Sequence, residues 1–180
     1  MRIIAGRHKS RKLVTLEGNN TRPMMDVMKE SIFNTIGPYL EPIEVLDIFG
    51  GSGALSLEAI SRGAKHSYIS ELSKEATKII ETNVKALHEE DRVTILNMDY
   101  RQALKRLQGK KFDLVFLDPP YRMNITNDLI KYLVDNDFLN EGSIVVCHYI
   151  KGNVEISKDL KMIKQFIRGT AEATIYQKEN

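Results

Sequence analysis

From residue 43 onward, short apolar runs rich in branched side chains alternate with stretches whose apolar residues recur at helical spacing. The runs IEVLDIF (43–49), HSYISE (66–71), RVTILN (92–97), FDLVFLD (112–118) and GSIVVCH (142–148) are predicted strands. Between them, Ala54 to Arg62, Lys74 to Leu87, Tyr100 to Leu107 and Ile125 to Asp135 are predicted helices. In the second helix Ala76, Ile79, Ile80, Val84 and Leu87 share one face, and Ser73 is placed to cap the first turn. Strict alternation of this kind predicts an α/β sandwich, a parallel sheet with helices on both faces joined by right-handed crossovers.

Two segments break the rhythm. At the front, RIIAG and RKLVTL flank the basic stretch RHKS, a pattern for a small hairpin. The segment TRPMMDVMKESIFNTIG then predicts a helix starting at Pro23, with Met28, Ile32 and Ile36 on one stripe and Gly37 closing it before Pro38. At the back, KMIKQFIRG and AEATIYQ predict an antiparallel pair added to the sheet edge. No internal repeat or low-complexity tract interrupts this order.

Composition narrows the picture. With 180 residues, 42% of them hydrophobic and 28% charged, the chain suits one ordinary core, hence a single domain over 1–180. Within it, 1–40 would form an N-terminal arm and helix, and 41–180 the main body. No run approaches the roughly 18 apolar residues of a membrane span, and the basic MRIIAGRHKSRK is not followed by an apolar segment, so a cytoplasmic protein is expected. Cys147 is the lone cysteine, and His8, His66, His88 and His148 lie far apart in sequence, so neither a disulfide nor a metal site is expected.

The net charge is only +2, which argues against a chain that is basic throughout. Its distribution is uneven. Arg2, Arg7, Lys9, Arg11 and Lys12 all precede the first acidic residue, Glu17, leaving a cationic arm that is either solvated or a grip for an anionic partner.

Candidate chemistry gathers at strand ends. In LDIFGGSG, Asp47, Phe49, Gly51 and Gly53 follow a predicted strand and open a predicted helix, so that glycines let a ligand approach backbone amides at a helix N-terminus. The dinucleotide fingerprint fails, because Ser56 stands where its third glycine should be; another adenosine-bearing ligand is the better fit. Glu71, 18 residues past Gly53, is placed to accept from ribose hydroxyls, and Asp99, past the third strand, from an adenine amino group. Either acid could equally cap the helix that follows it.

The fourth strand ends on Asp118-Pro119-Pro120-Tyr121, an acid, two residues of fixed φ and an aromatic. Here the sequence resembles the class I S-adenosylmethionine-dependent methyltransferases whose Asp-Pro-Pro-Tyr motif serves methylation of an exocyclic amine. MRIIAGRHKSRKL, TRPMMDVMKESIFN and GALSLEAISRGA extend the resemblance, over nearly the whole chain, to the bacterial 16S ribosomal RNA (guanine-N2) methyltransferases that modify guanine 966. The resemblance implies a Rossmann-like, seven-stranded, mostly parallel sheet with an antiparallel C-terminal edge strand, helices on both faces and a small N-terminal hairpin and helix extension. It implies S-adenosylmethionine held by Asp47, Phe49, Gly51, Ser52, Gly53, Glu71, Leu72, Asp99, Tyr100 and Arg22. Asp118, Pro119, Pro120 and Tyr121 would act on the base. Arg7, Lys9, Arg11, Lys12 and Arg122 would contact 16S ribosomal RNA in the small subunit. No metal and a monomeric state are expected.

In this reading the Asp118 carboxylate and the Pro119 carbonyl accept the amine hydrogens, and Tyr121 stacks on an extruded base. Arg22 stands beside a helix N-terminus, where a cation is disfavoured by about 0.3 to 1 kcal/mol, so an anionic partner is expected: a cofactor carboxylate, an RNA phosphate or an internal acid. Three departures from relatives stand out. Gly50 replaces a usual alanine, an exchange expected to be harmless. Cys147-His148 ends the fifth strand where an acid is common, and is expected to be structural. Gly169-Thr170 lacks a common aspartate. Rival readings are methylation of adenine N6 or of a protein glutamine, and a non-catalytic RNA-binding module on the same fold.

Overall fold

The computed structural model describes residues 1–16, 26–150, 158–169 and 171–179, the side chains of Tyr121, Tyr149, Ile150 and Ala171 excepted. Seven strands form one sheet: β1 (Glu44–Asp47), β2 (His66–Ser70), β3 (Val93–Leu96), β4 (Phe112–Leu117), β5 (Leu139–Ile150), β6 (Leu160–Arg168) and β7 (Ala171–Lys178). Five helices are described: α1 (Asp26–Ile36), α2 (Ala54–Ser61), α3 (Lys74–Leu87), α4 (Tyr100–Arg106) and α5 (Thr126–Asp135). No described helix is long and apolar enough to cross a membrane.

The spatial order is β3-β2-β1-β4-β5-β7-β6, with β1 to β5 parallel. β7 runs antiparallel between β5 and β6, so the C-terminal pair extends the sheet and β6 is the outermost strand. Successive strand residues face opposite layers. Val45, Leu114, Phe116 and Val146 pack under α1, α2 and α3. Leu46, Val115, Leu117 and Val145 pack under α4 and α5. Because both faces are covered, these strands read as continuous apolar runs rather than as alternation. The predicted core elements are all present, their ends displaced by at most a few residues. Ser73 accepts from the Ala76 amide at 3.2 Å, capping α3 as its position predicts.

Crossing from β3 back to β4, on the far side of β1, reverses the order of the strands. That reversal opens a crevice at the carboxyl ends of β1 and β4, where open α/β sheets receive ligands.

The N-terminal hairpin is minimal, one antiparallel bridge between Arg2 and Lys12, and it is docked rather than loose. Its turn lies on the end of α2: the Arg7 amide donates to the Ser61 carbonyl (2.9 Å) and Ser61 Oγ donates to the Ala5 carbonyl (2.6 Å). Gly6 permits this approach, since a Cβ there would overlap the Ser61 carbonyl oxygen. In α1 Met28 and Ile32 of the predicted stripe are buried and Ile36 is partly buried, while Phe33 and Lys29, which the spacing does not predict, are buried with them. The expected start of that helix at Pro23 falls outside the described residues.

Candidate functional site at the carboxyl rim of the sheet

The glycine loop leaves β1 at Asp47 and enters α2 at Gly53. Gly53 is the N-cap, with φ 79°, and no side chain caps this helix, whose N-terminus lies at the crevice. Asp47 is 1% exposed. Its Oδ2 accepts from Ser56 Oγ at 3.0 Å, and Ser56 Oγ accepts in turn from Ser67 Oγ at 2.8 Å. The serine that breaks the dinucleotide fingerprint thus has a task of its own, holding the motif's first acid. Among the described residues Asp47 Oδ1 is buried with no hydrogen-bond partner. Burial pushes the Asp47 carboxyl up to about 7, and the nearby charges of Asp118 and Glu71 add to the rise.

Glu71 follows β2. Its Oε2 accepts from the Gly51 amide (2.9 Å) and its Oε1 from the Ser73 amide (2.8 Å), tying two loops into one edge of the crevice. Each oxygen retains a second lone pair for a ligand hydroxyl. Asn97, which the sequence did not single out, donates to the carbonyls of Glu71 (2.9 Å) and Leu72 (3.1 Å) and fixes that edge from β3. Leu72 stands exposed beside it at 68%.

Asp99 caps α4, accepting from the Arg101 amide at 2.9 Å, so the helix-capping alternative holds for one of its oxygens. Phe49 and Tyr100 bring β1 and α4 together with ring centres 5.4 Å apart. Ser52 is tethered through its carbonyl, which accepts from Asn83 Nδ2 at 2.9 Å; the same side chain accepts from the Val14 amide at 2.8 Å. Asn83 therefore links the segment after the hairpin to the glycine loop, a bond with no signal in the sequence.

Gly50 is not a harmless exchange in this chain. A Cβ there would overlap Cγ2 of Ile69, so the branched side chain of β2 fills the space an alanine would need.

Asp118 lies at the tip of β4, partly exposed, with buried Pro119 and exposed Pro120 after it. Asp118 Oδ1 lies 2.8 Å from Nδ1 of His148, the strand-end residue expected to be structural. Cys147 beside it is fully buried and burial pushes its thiol up, which suits packing rather than chemistry. The Tyr121 side chain, Arg22 and Thr170 lie outside the described residues; Arg122 is exposed.

The structure brings Asp47, Gly51, Ser52, Gly53, Glu71, Leu72, Asp99, Tyr100 and Asp118 to one rim. The arm residues are elsewhere, on the hairpin against α2 and α3. Arg7 reaches Glu89 (2.6 Å), as does His8 Nε2 (2.5 Å), and Arg11 Nη2 donates to the Ala86 carbonyl (2.6 Å). Lys9 and Lys12 are exposed.

Such a rim suits a ligand bearing hydroxyls and positive charge: an acceptor without a donor at Asp47, and the carboxylates of Asp118 and Glu71 near it. Among the described residues no cluster of three or more His, Cys, Asp or Glu side chains could hold a metal ion.

Comparison with known proteins agrees with the geometry. A profile of the family described as conserved hypothetical protein 95 matches residues 1–177. A Bacillus subtilis protein provisionally named rRNA methyltransferase YlbH is 35% identical, over 99% of each chain. The ribosomal RNA small subunit methyltransferase D of Haemophilus influenzae is 33% identical, over 98% of this chain and 93% of that one. A solved Escherichia coli structure provisionally named methyltransferase yhhF superposes with a TM-score of 0.88 at 26% identity, covering 100% of this chain and 98% of that one. The chain belongs to the conserved hypothetical protein 95 family, the family of the small-subunit ribosomal RNA methyltransferases D.

Proposed function

We propose that the protein is an S-adenosylmethionine-dependent methyltransferase of small-subunit ribosomal RNA, and that its target is the exocyclic N2 of a guanine of the position-966 type. The observation that carries this reading is the placement of Asp118, at the tip of β4, beside a rim on which Asp47 and Glu71 await a partly cationic, hydroxyl-bearing ligand.

S-adenosylmethionine supplies an electrophilic sulfonium methyl group. Glu71 would hold the ribose hydroxyls, Asp99, Leu72 and Tyr100 the adenine, and the glycine loop with Phe49, Ser52 and Asp47 the amino-acid end. Arg22 is assigned to the cofactor carboxylate.

A guanine N2 lone pair is delocalised into the ring, so the amine is a weak nucleophile. Asp118 and the Pro119 carbonyl accept its hydrogens and draw the nitrogen toward tetrahedral geometry. Positioning of this sort lowers a barrier by up to about 7 to 11 kcal/mol. Tyr121 stacks on the extruded base, and Pro120 fixes the backbone between them. Arg122, Lys9, Arg11 and Lys12 contact RNA phosphates, with Arg7 holding the hairpin in place for them. Folded RNA shape supplies specificity, and the small-subunit particle is the substrate form.

The test is transfer of labelled methyl to ribosomal RNA from a strain lacking the gene, followed by nucleoside analysis. N2-methylguanosine is expected; N6-methyladenosine or labelled protein would overturn the guanine assignment. Asp118→Ala is expected to abolish turnover while leaving S-adenosylhomocysteine affinity within about tenfold. Joint loss of affinity and turnover would mean that Asp118 serves the cofactor and not the amine.

A further inference from the structure

Leu117 of β4 pairs with Cys147 of β5, so the next step of the parallel register sets Asp118 beside His148. The two side chains meet with Nδ1 2.8 Å from Oδ1. The imidazole is almost excluded from solvent, at 5% exposure, whereas the carboxylate keeps 24% toward the crevice. An ionised carboxylate only accepts hydrogen bonds, so the facing ring nitrogen carries the hydrogen. His148 stands on a strand paired on both sides, with β4 and with β7, where it lies opposite Ala173. The hydrogen bond therefore joins a partly exposed carboxylate to a rigid part of the sheet.

We propose that His148 is a positioning residue: its Nδ1–H holds Oδ1 of Asp118, stops the carboxylate from rotating, and leaves Oδ2 aimed at the substrate amine. This rests on the reading that Asp118 accepts an amine hydrogen. A carboxylate free to rotate would offer its acceptor in many directions, and displacements near 1 Å at a reacting group can cost about a hundredfold in rate. An ionised acid in the place of His148 could not donate to Asp118.

The test compares three variants of the full chain in methyl transfer to undermethylated small-subunit particles. His148→Ala is expected to lower kcat by about 10- to 100-fold, with KM for the particle and S-adenosylhomocysteine affinity within about threefold. His148→Asn places an amide nitrogen where Nδ1 was and is expected to recover most of that loss. His148→Gln places its nitrogen one bond further out and is expected to behave like alanine. An unchanged kcat in His148→Ala, or equal recovery by asparagine and glutamine, would overturn the proposal.

Should the alanine variant fail to fold, the asparagine and glutamine pair still decides, together with the nitrogen-15 spectrum of the unmodified His148 ring. That spectrum is expected to show a hydrogen on Nδ1, and an Nε2–H tautomer would overturn the clamp. Failure of the underlying reading looks different: Asp118→Ala would retain turnover. If Asp118→Ala is inactive while His148→Ala is fully active, the clamp alone falls.

Discussion

Glu58 and Asp47 are both carboxylates withdrawn from solvent beside α2, yet their surroundings are opposite. Glu58 is 0% exposed and fully used. Its Oε2 accepts from the Ile4 amide (2.9 Å) and forms an ion pair with Lys29 Nζ (3.3 Å), and its Oε1 accepts from the Ala5 amide (3.1 Å) and Arg62 Nε (2.8 Å). Asp47 draws its hydrogen bonds from Ser56 alone, and its second oxygen has none. Three donors and an ion pair make Glu58 the joint of hairpin, α1 and α2. An unfilled oxygen makes Asp47 costly to ionise, and a fold keeps such a group where a ligand can complete it. Burial alone therefore does not separate scaffold from site; unfilled hydrogen-bonding capacity does.

The strongest way to break this comparison is Glu58→Ala. It strands Lys29 and Arg62 as buried cations and leaves the Ile4 and Ala5 amides without partners, a destabilisation of roughly 5 kcal/mol or more. Denaturant unfolding should show a large fall in midpoint, and amide exchange should show the hairpin opening first. A loss below about 1 kcal/mol would mean that water replaces these contacts and Glu58 is no joint.

Asp47→Asn probes the other member. Its carboxyl titrates near 7 in the fold against an ordinary 3.8, so the folded chain holds this proton more tightly than the unfolded one. That contribution is present at low pH and is lost as pH rises from about 4 through 7; the shift corresponds to a few kcal/mol, on the order of 4 at most. Free of ligand, Asp47→Asn should melt higher than the unmodified protein at pH 8, with the gap closing toward pH 4. It should also bind S-adenosylhomocysteine more weakly. Parallel melting curves across this range would show that Asp47 ionises in the fold without cost.

The sheet and its helices were legible because their signal is local: branched runs, helical spacing and the Ser73 cap each depend on a few neighbours. The rim was legible for the same reason, since Asp47, Glu71, Asp99 and Asp118 all fall at strand ends and open sheets gather those ends. Contacts set by tertiary approach were not. Lys29 sits on an apolar stripe but pairs with an acid 29 positions away, and its Nζ donates to the Arg2 carbonyl at 2.5 Å. His148 meets Asp118 only through the β4–β5 register. Glu89 gathers Arg7 and His8 from across the chain. Periodicity cannot distinguish these residues from solvated ones.

Gly50 sharpens the point at the glycine loop. Gly50→Ala should cost about 1 to 3 kcal/mol through overlap with Ile69 Cγ2. In an Ile69→Leu background the branch at Cβ is gone, and the same substitution should cost much less. A double-mutant cycle on unfolding midpoints measures the coupling, and additive effects would show that the loop adjusts by itself.

The smallest expected effects separate the cations of the hairpin from one another. Binding of a cationic protein to RNA weakens with salt because phosphate contacts release counterions, at about 0.7 to 0.9 of a log unit in slope per contact. Lys9 and Lys12 are exposed, so each should contribute near that value, and Lys9→Gln or Lys12→Gln should flatten the slope accordingly. Arg11 gives one donor to the last turn of α3 but keeps its charge, and should come between. Arg7 is already matched by Glu89 at 2.6 Å, so a phosphate gains little from it and Arg7→Gln should leave the slope nearly unchanged while loosening the hairpin. Filter binding of small-subunit RNA across a salt series reads all four. If Arg7→Gln flattens the line as much as Lys9→Gln, the ion pair opens on RNA, and the hairpin is a grip in its own right instead of a mount for two lysines.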